Sequence, residues 1–273
     1  MGLRVNTNIS SINAQRNLTG TTDRLQKSLQ RLSSGLRISR AADDAAGLAI
    51  SEAFRADVRS LQQAQRNAND AISMLQVAEG ALDETSSLLV RMRELAIQSA
   101  NGTLGPPERA TVDEEFQGLL QEIDRLAAVT EFNGTTILLS SPSITFQVGK
   151  GNTADDRITV NGVDASVAGI GLSGAAVDTV SGALSALGVL DTAIGSVASL
   201  RSSFGTTQNR IESTIRSIAI AVENTSAADS RIRDVDFAAE TAELTRNQVL
   251  QQAGISVLAQ ANVSTQAALA LLQ

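Results

Sequence analysis

Two pairs of adjacent carboxylates, Asp43–Asp44 and Glu114–Glu115, are the residues of this chain best suited by type to acid–base chemistry or to holding a cation. Both pairs sit where helices are expected to begin, and a helix N-terminus favours acids by about 0.3–1 kcal/mol without any catalysis. Capping therefore accounts for them better than chemistry does. The 273 residues include no His, Cys, Trp or Tyr. That removes the usual zinc and transition-metal ligands, cysteine nucleophiles, Ser/His/Asp triads and disulfides. No loop has the ligand spacing of an EF-hand, and no aromatic platform offers itself to a sugar. The expectation is a chain with no catalytic residue, no metal, no cofactor and no enzymatic activity.

Charge is distributed unevenly. Residues 1–40 hold seven bases (Arg4, Arg16, Arg24, Lys27, Arg31, Arg37, Arg40) and one acid, Asp23, so +6 of a total of −7 sits there and −13 on the remainder. An acidic body argues against nucleic acid as a partner, because phosphate binding rests on a positive surface. From Asn247 to Gln273 no residue is charged, yet six are glutamine. A membrane-spanning helix needs about 20 predominantly apolar residues, so membrane insertion is not expected. A solvated helix would carry charge on its outer face. What remains is a helix covered all round by other protein. The opening residues contain no continuous apolar run and no small-residue cleavage site, so a classical signal peptide is not expected.

These features need elements to position them, and helical periodicity supplies most. Leu18, Leu25, Leu29, Leu32 and Leu36 fall on one stripe, with Val5, Ile9 and Ile12 at similar spacing upstream. A stronger seam joins Phe54, Val58, Leu61, Ala68, Ile72, Leu75, Leu82, Leu89 and Ala96, and a second stripe of Met74, Val77, Ala81, Leu88 and Met92 lies beside it. A helix over 43–101 would be on the order of 85 Å long. A compact globule of this chain length spans only ~48 Å, so the expected shape is a rod.

Asn101-Gly102 and Gly105-Pro106-Pro107 end that helix. "TVDE" (Thr111–Glu114) reads as the capping box of a second helix over 107–129, striped by Val112, Phe116, Leu119, Ile123 and Leu126 and folding back antiparallel. The period then changes. After the turn signal Asn133-Gly134, short β-branched runs predict hairpins over 133–163. A Gly/Ala/Ser-rich loop over 162–176 follows, and then a helix over 177–225 through Val180, Leu184, Leu187, Ile194, Val197, Phe204, Ile211, Ile215, Ile218 and Val222. Gly188, Gly195 and Gly205 interrupt it at about 1 kcal/mol each, with close helix approach the expected reason. A charged joint, "DSRIRDVDF" (Asp229–Phe237), precedes the last helix. The fold class expected is mainly α: a long antiparallel helical-bundle rod with a small hairpin region.

At Arg31–Ser51 the chain reads "RLSSGLRISRAADDAAGLAIS", which closely resembles the N-terminal signature of bacterial flagellins. The likeness continues in "QRNANDAISMLQVAEGAL" (Gln65–Leu82), "VRMRELAIQSANGT" (Val90–Thr103), "EIDRLAAVTEFNGTTIL" (Glu122–Leu138) and "ENTSAADSRIRDVDFAAETAELTRNQVLQQAGISVLAQAN" (Glu223–Asn262). The resemblance implies a subunit that self-assembles into the flagellar filament for swimming. It would be exported by the flagellar type III apparatus and secreted to the extracellular flagellum, with an export chaperone and cap and hook-associated proteins as further partners. Residues 1–40 and 235–273 would pair as the helical inner tube of the polymer and be disordered in the monomer, with 41–234 as the outer rod. Polymerisation would then rest on Val5, Ile9, Leu18, Leu25, Leu29, Leu32, Leu36, Leu250, Val257, Leu258, Leu269 and Leu272.

In many flagellins the region matching Val90–Gln98 is read by a host Toll-like receptor, which implies Arg91, Leu95 and Glu115 as receptor-binding residues. Ordinary packing and subunit contact explain the same residues. Two other readings stay open: a hook–filament junction protein, which shares the terminal signatures, and a membrane-active amphipathic helical protein using the basic N-terminal helix.

Overall fold

In the computed structural model, which describes residues 7–139 and 142–270 and side chains as far as residue 263, five long helices carry most of the chain. They are α1 (Ile9–Ser34), α2 (Ala45–Ala100), α3 (Pro106–Val129), α4 (Val180–Arg233) and α5 (Phe237–Ala270). Two antiparallel hairpins lie between α3 and α4. One pairs β1 (Glu131–Phe132) with β2 (Thr135–Thr136), and the other pairs β3 (Ile144–Gln147) with β4 (Arg157–Val160). The chain is mainly α, as the periodicity predicts. It divides into a central unit, Val58–Glu223, and a terminal unit, Met1–Asp57 with Asn224–Gln273.

The central unit has a continuous core. Leu75, Leu82, Leu89, Met92 and Leu95 of α2 pack with Phe116 and Ile123 of α3 and with Leu190, Val197, Phe204 and Ile211 of α4. Alanines fill the remaining seam (Ala68, Ala71, Ala78 and Ala96 on α2; Ala183, Ala186 and Ala193 on α4). Small side chains let helices pack along their length, so this core uses only two fully aromatic anchors, Phe116 and Phe204, with Phe132 and Phe146 at its edge. By composition α4 is long and apolar enough to cross a bilayer; Leu190, Val197, Phe204 and Ile211 pack into this core, while Val180, Leu184, Val189 and Ile220 are exposed.

Polar groups finish the ends of the central unit. Arg109 of α3 is buried and donates Nε to the Ser99 carbonyl (2.9 Å) and Nη2 to the Asn101 carbonyl (2.8 Å), satisfying two orphan carbonyls at the end of α2. The Ser99 hydroxyl donates to the Val177 carbonyl. The 162–176 segment is a loop, as expected, but it is held down: Val167 N–H donates to Asp124 (2.7 Å), Val177 N–H to Asp113 (2.7 Å) and the Gln117 amide to the Ala175 carbonyl (3.0 Å). Ile170, Leu172 and Val177 are buried beneath it. At the turn between β1 and β2, Asn133 (φ 52°) and Gly134 (φ 75°) are both left-handed, the geometry that a two-residue Asn-Gly hairpin requires.

Several sequence expectations fail, each for a physical reason. "TVDE" is not a capping box. Pro106 at the first helical position starts α3 earlier, and Thr111, already inside the helix, turns its hydroxyl back to the Pro107 carbonyl. Glu115 therefore lies well inside the helix. In the first turns of α4 the core side is Ala183, Ala186 and Leu190, while Leu184 is 59% exposed. There the larger residue was taken for the inward one. Val77 of α2 is likewise exposed. Gly188, Gly195 and Gly205 do not mark close helix approach, since a Cβ added at any of them meets nothing within 4 Å. α4 also runs past the expected end at 225 and takes in half of the charged joint.

Candidate assembly surface

The terminal unit is built on α1 and α5. Asn8 caps α1 by accepting the Ser11 N–H (3.1 Å), and Gly35, left-handed at φ 72°, ends it by donating its N–H to the Arg31 carbonyl. Asp236 caps α5 by accepting the Ala238 and Ala239 N–H groups (2.9 and 3.2 Å). The two helices run antiparallel. The Asn8 amide donates to the Ala261 carbonyl (2.9 Å), and Arg31 reaches Glu240 (3.4 Å).

The segments around 35–38 and 232–235 join through the backbone. Arg37 N–H donates to the Arg233 carbonyl (2.7 Å), Val235 N–H to the Gly35 carbonyl (3.0 Å), and Leu36 bridges Asp234. The Arg233 guanidinium then reaches Glu52 (2.9 Å), which holds that carboxyl below its ordinary range.

Asp43 and Asp44 divide their work. Asp44 caps α2 by accepting the Gly47 N–H (2.9 Å), as expected for an acid at a helix start. Asp43 does something else. It pairs with Lys27 of α1 (2.7 Å) and accepts from Ser39 and Arg40 N–H, so one carboxylate clasps the 36–44 connection onto α1. The Lys27 bond, helped by the backbone donors, lowers its pKa from 3.8 to about 2 despite partial burial. Nothing in the spacing of "AADDAAG" separates the two roles, because Lys27 is remote in sequence.

The residues expected to drive polymerisation fall into two groups. Leu18, Leu25, Leu32, Leu36 and Leu258 are half-buried, while Ile9, Leu29, Leu250 and Val257 are exposed. Val5 and Leu272 lie outside the described residues, as does the side chain of Leu269. Sequence reasoning missed further exposed apolar residues: Ile12 on α1, and Phe237, Val249, Ile255 and Val263 on α5. Their even spread around α5, without one polar face, is the signal that points to them. A groove of about 450 Å³ runs between the helices, lined by Ala14, Leu18, Thr21, Arg24, Leu250 and Val257 among others.

In the central unit, Arg91 and Glu115 meet on the surface. Arg91 donates Nε and Nη2 to one Glu115 oxygen (3.1 and 2.8 Å) and Nη1 to Glu94 (3.0 Å), and these carboxylates raise the guanidinium pKa further. Leu95 does not join them at the surface: at 1% exposed it belongs to the core. No group of three or more acidic side chains that could hold a metal ion occurs among the described residues.

Family models match at both ends of the chain. The bacterial flagellin N-terminal helical region covers residues 5–141 and the C-terminal helical region residues 187–272. The chain is 45% identical to a flagellin of Halalkalibacterium halodurans over 270 residues, covering 98% of this chain and 99% of that one. It is 41% identical to the flagellar filament 33 kDa core protein of Treponema phagedenis, with the same coverage. Among solved structures, Bacillus cereus flagellin superposes with a TM-score of 0.51 at 31% identity, covering 56% of this chain and 88% of that one.

Proposed function

The chain belongs to the bacterial flagellins, a family of structural filament proteins rather than enzymes, and from that premise we propose that it polymerises through its terminal unit into the flagellar filament that drives swimming. The observation that carries this reading is the exposure of Ile9, Ile12, Leu29, Leu250, Ile255 and Val257 on α1 and α5. In the polymer, neighbouring copies cover these residues. In the monomer, α1 and α5 bury too little apolar surface to offset their ordering entropy, so they fray. Export by the flagellar type III apparatus, with its chaperone and with cap and hook-associated proteins as partners, and an extracellular location follow from the same family membership.

Electron microscopy of seeded protein tests the reading. The parent forms long filaments of uniform width. Leu250→Ser with Val257→Ser, both exposed beside the α1–α5 groove, leaves the central unit folded and raises the protein concentration needed for assembly at least about tenfold, the equivalent of ~1.4 kcal/mol per subunit. Filaments at the parent's threshold would refute it. A hook–filament junction role is the less favoured reading, because the relatives above are named for filaments. Recognition by a Toll-like receptor has support from the exposed Arg91–Glu115 pair, without buried Leu95. Arg91→Ala signalling as strongly as the parent would remove that role.

A further inference from the structure

The central unit holds three exposed Asn-Gly pairs, Asn101-Gly102, Asn133-Gly134 and Asn161-Gly162. In such a pair the glycine peptide nitrogen can attack the asparagine side-chain carbonyl, because no Cβ stands in the way. Negative charge develops on two oxygens: the asparagine peptide oxygen as the Gly N–H loses its proton, and the side-chain oxygen as Cγ becomes tetrahedral. Donors fixed on those oxygens speed the step, as they do in acyl transfer generally. Asn101 and Asn133 are both followed by Gly-Thr, so an unfolded chain treats them alike. The fold separates them. At Asn101 both oxygens carry donors: Arg109, buried where α2 meets α3, donates Nη2 to the Asn101 carbonyl (2.8 Å), and the Leu104 N–H donates to the same oxygen (3.4 Å). The Thr103 N–H donates to Asn101 Oδ1 (3.3 Å), an Asx turn that folds the carboxamide back over the Gly102 peptide. Among the described residues nothing accepts the Gly102 N–H, and a Cβ added at Gly102 meets nothing within 4 Å, so the nitrogen is open to attack and to solvent. Asn133 instead holds the left-handed turn of the β1–β2 hairpin (φ 52°), which ring closure would undo. Asn161 has no donor on either oxygen among the described residues.

We propose that Asn101-Gly102 is a self-modification site, at which the chain converts its own asparagine to aspartate and isoaspartate. Water or hydroxide takes the Gly102 amide proton, the nitrogen bonds to Asn101 Cγ, the Cγ–Nδ2 bond breaks, and Nδ2 regains a proton and leaves as ammonia. Water then opens the five-membered imide at either carbonyl. The net change consumes water, releases ammonia and involves no oxidation or reduction. The product carries one more negative charge, so the chain goes from −7 to −8, and the new carboxylate stands near the Arg109 guanidinium. The isoaspartyl form also adds a main-chain carbon to the short connection between α2 and α3. Conversion needs no second copy of the chain, so it stands or falls separately from polymerisation.

Peptide mapping by mass spectrometry of the full chain, held in mildly alkaline buffer, follows the three pairs at once. In the folded protein Asn101 should convert about tenfold faster than Asn161, with Asn133 slower still. In denaturant the lead of Asn101 over Asn133 should shrink to about twofold or less, because the residues that follow them are the same. Arg109→Gln should slow conversion at Asn101 about fivefold and leave Asn161 unchanged. Equal rates at 101 and 161 in the folded protein, a lead that survives denaturant, or a rate at 101 untouched by Arg109→Gln overturns the proposal. Should that variant unfold the α2–α3 corner, Thr103→Pro, at an exposed position, removes the N–H that Asn101 Oδ1 accepts and decides by the same ratio. A failure to form filaments with these rates as expected would count against the polymer reading alone.

Discussion

The two units finish their folds differently. In the central unit the buried polar groups are paired: Arg109 with two carbonyls, Ser99 with Val177, Thr85 with Ala81 and Thr130 with Leu126. Among the described residues, the buried polar atoms left unpaired are Arg31 Nε, Asp229 Oδ1, Arg233 Nε and Asn247 Nδ2, and all four belong to the terminal unit. Among the described residues Ile38 is the one large apolar side chain of the terminal unit that is buried, whereas exposed large apolar residues occur in both units. An unsatisfied buried group costs about 1–3 kcal/mol, which supports the proposal that contact with other copies completes the terminal unit.

The contrast predicts where substitutions register. Phe116→Ala removes the largest fully buried side chain of the central core and should lower its stability by about 3–5 kcal/mol, read by denaturant unfolding of the monomer. A loss under 1 kcal/mol would mean that this core is no better packed than the terminal seam, and the comparison would break.

Asp43→Asn sharpens the other side. Asp43 is held at a pKa of about 2, below its ordinary 3.8. Its stabilisation is therefore fully present above about pH 4 and is lost as pH falls through 2. At neutral pH the variant should weaken the 36–44 connection by about 1 kcal/mol, the partly exposed Lys27 limiting the effect. Faster hydrogen exchange there, converging with the parent near pH 2 and absent from α3, is the expected pattern.

The smallest effect has the opposite sign. Gly195→Ala meets no neighbour, so it should stabilise the central unit by about 0.5–1 kcal/mol. A destabilised variant would restore close helix approach as the reason for that glycine.

Much of this fold was legible because its signals are local and repeated. The seam from Leu61 to Ala96, the Asn133-Gly134 turn and the cap at Asp44 each depend on residues a few positions apart. "TVDE" misled because Pro106, also local, outranked it. Leu184 misled because size suggested an inward face, whereas Ala183 and Ala186 are the residues buried there. For the assembly surface, the charge-free stretch from Asn247 onward pointed to a covered helix, and the individual exposed residues followed only once α1 and α5 were paired.

Sequence alone determined the helical class, the lack of His and Cys chemistry and the family, since composition, period and long motifs are properties of the chain. Tertiary structure decided which acid caps and which clasps, which leucines enter the seam and which face outward, and that Leu95 is core. Those outcomes turn on residues distant in sequence arriving within a few ångströms of each other, and no local pattern encodes that distance.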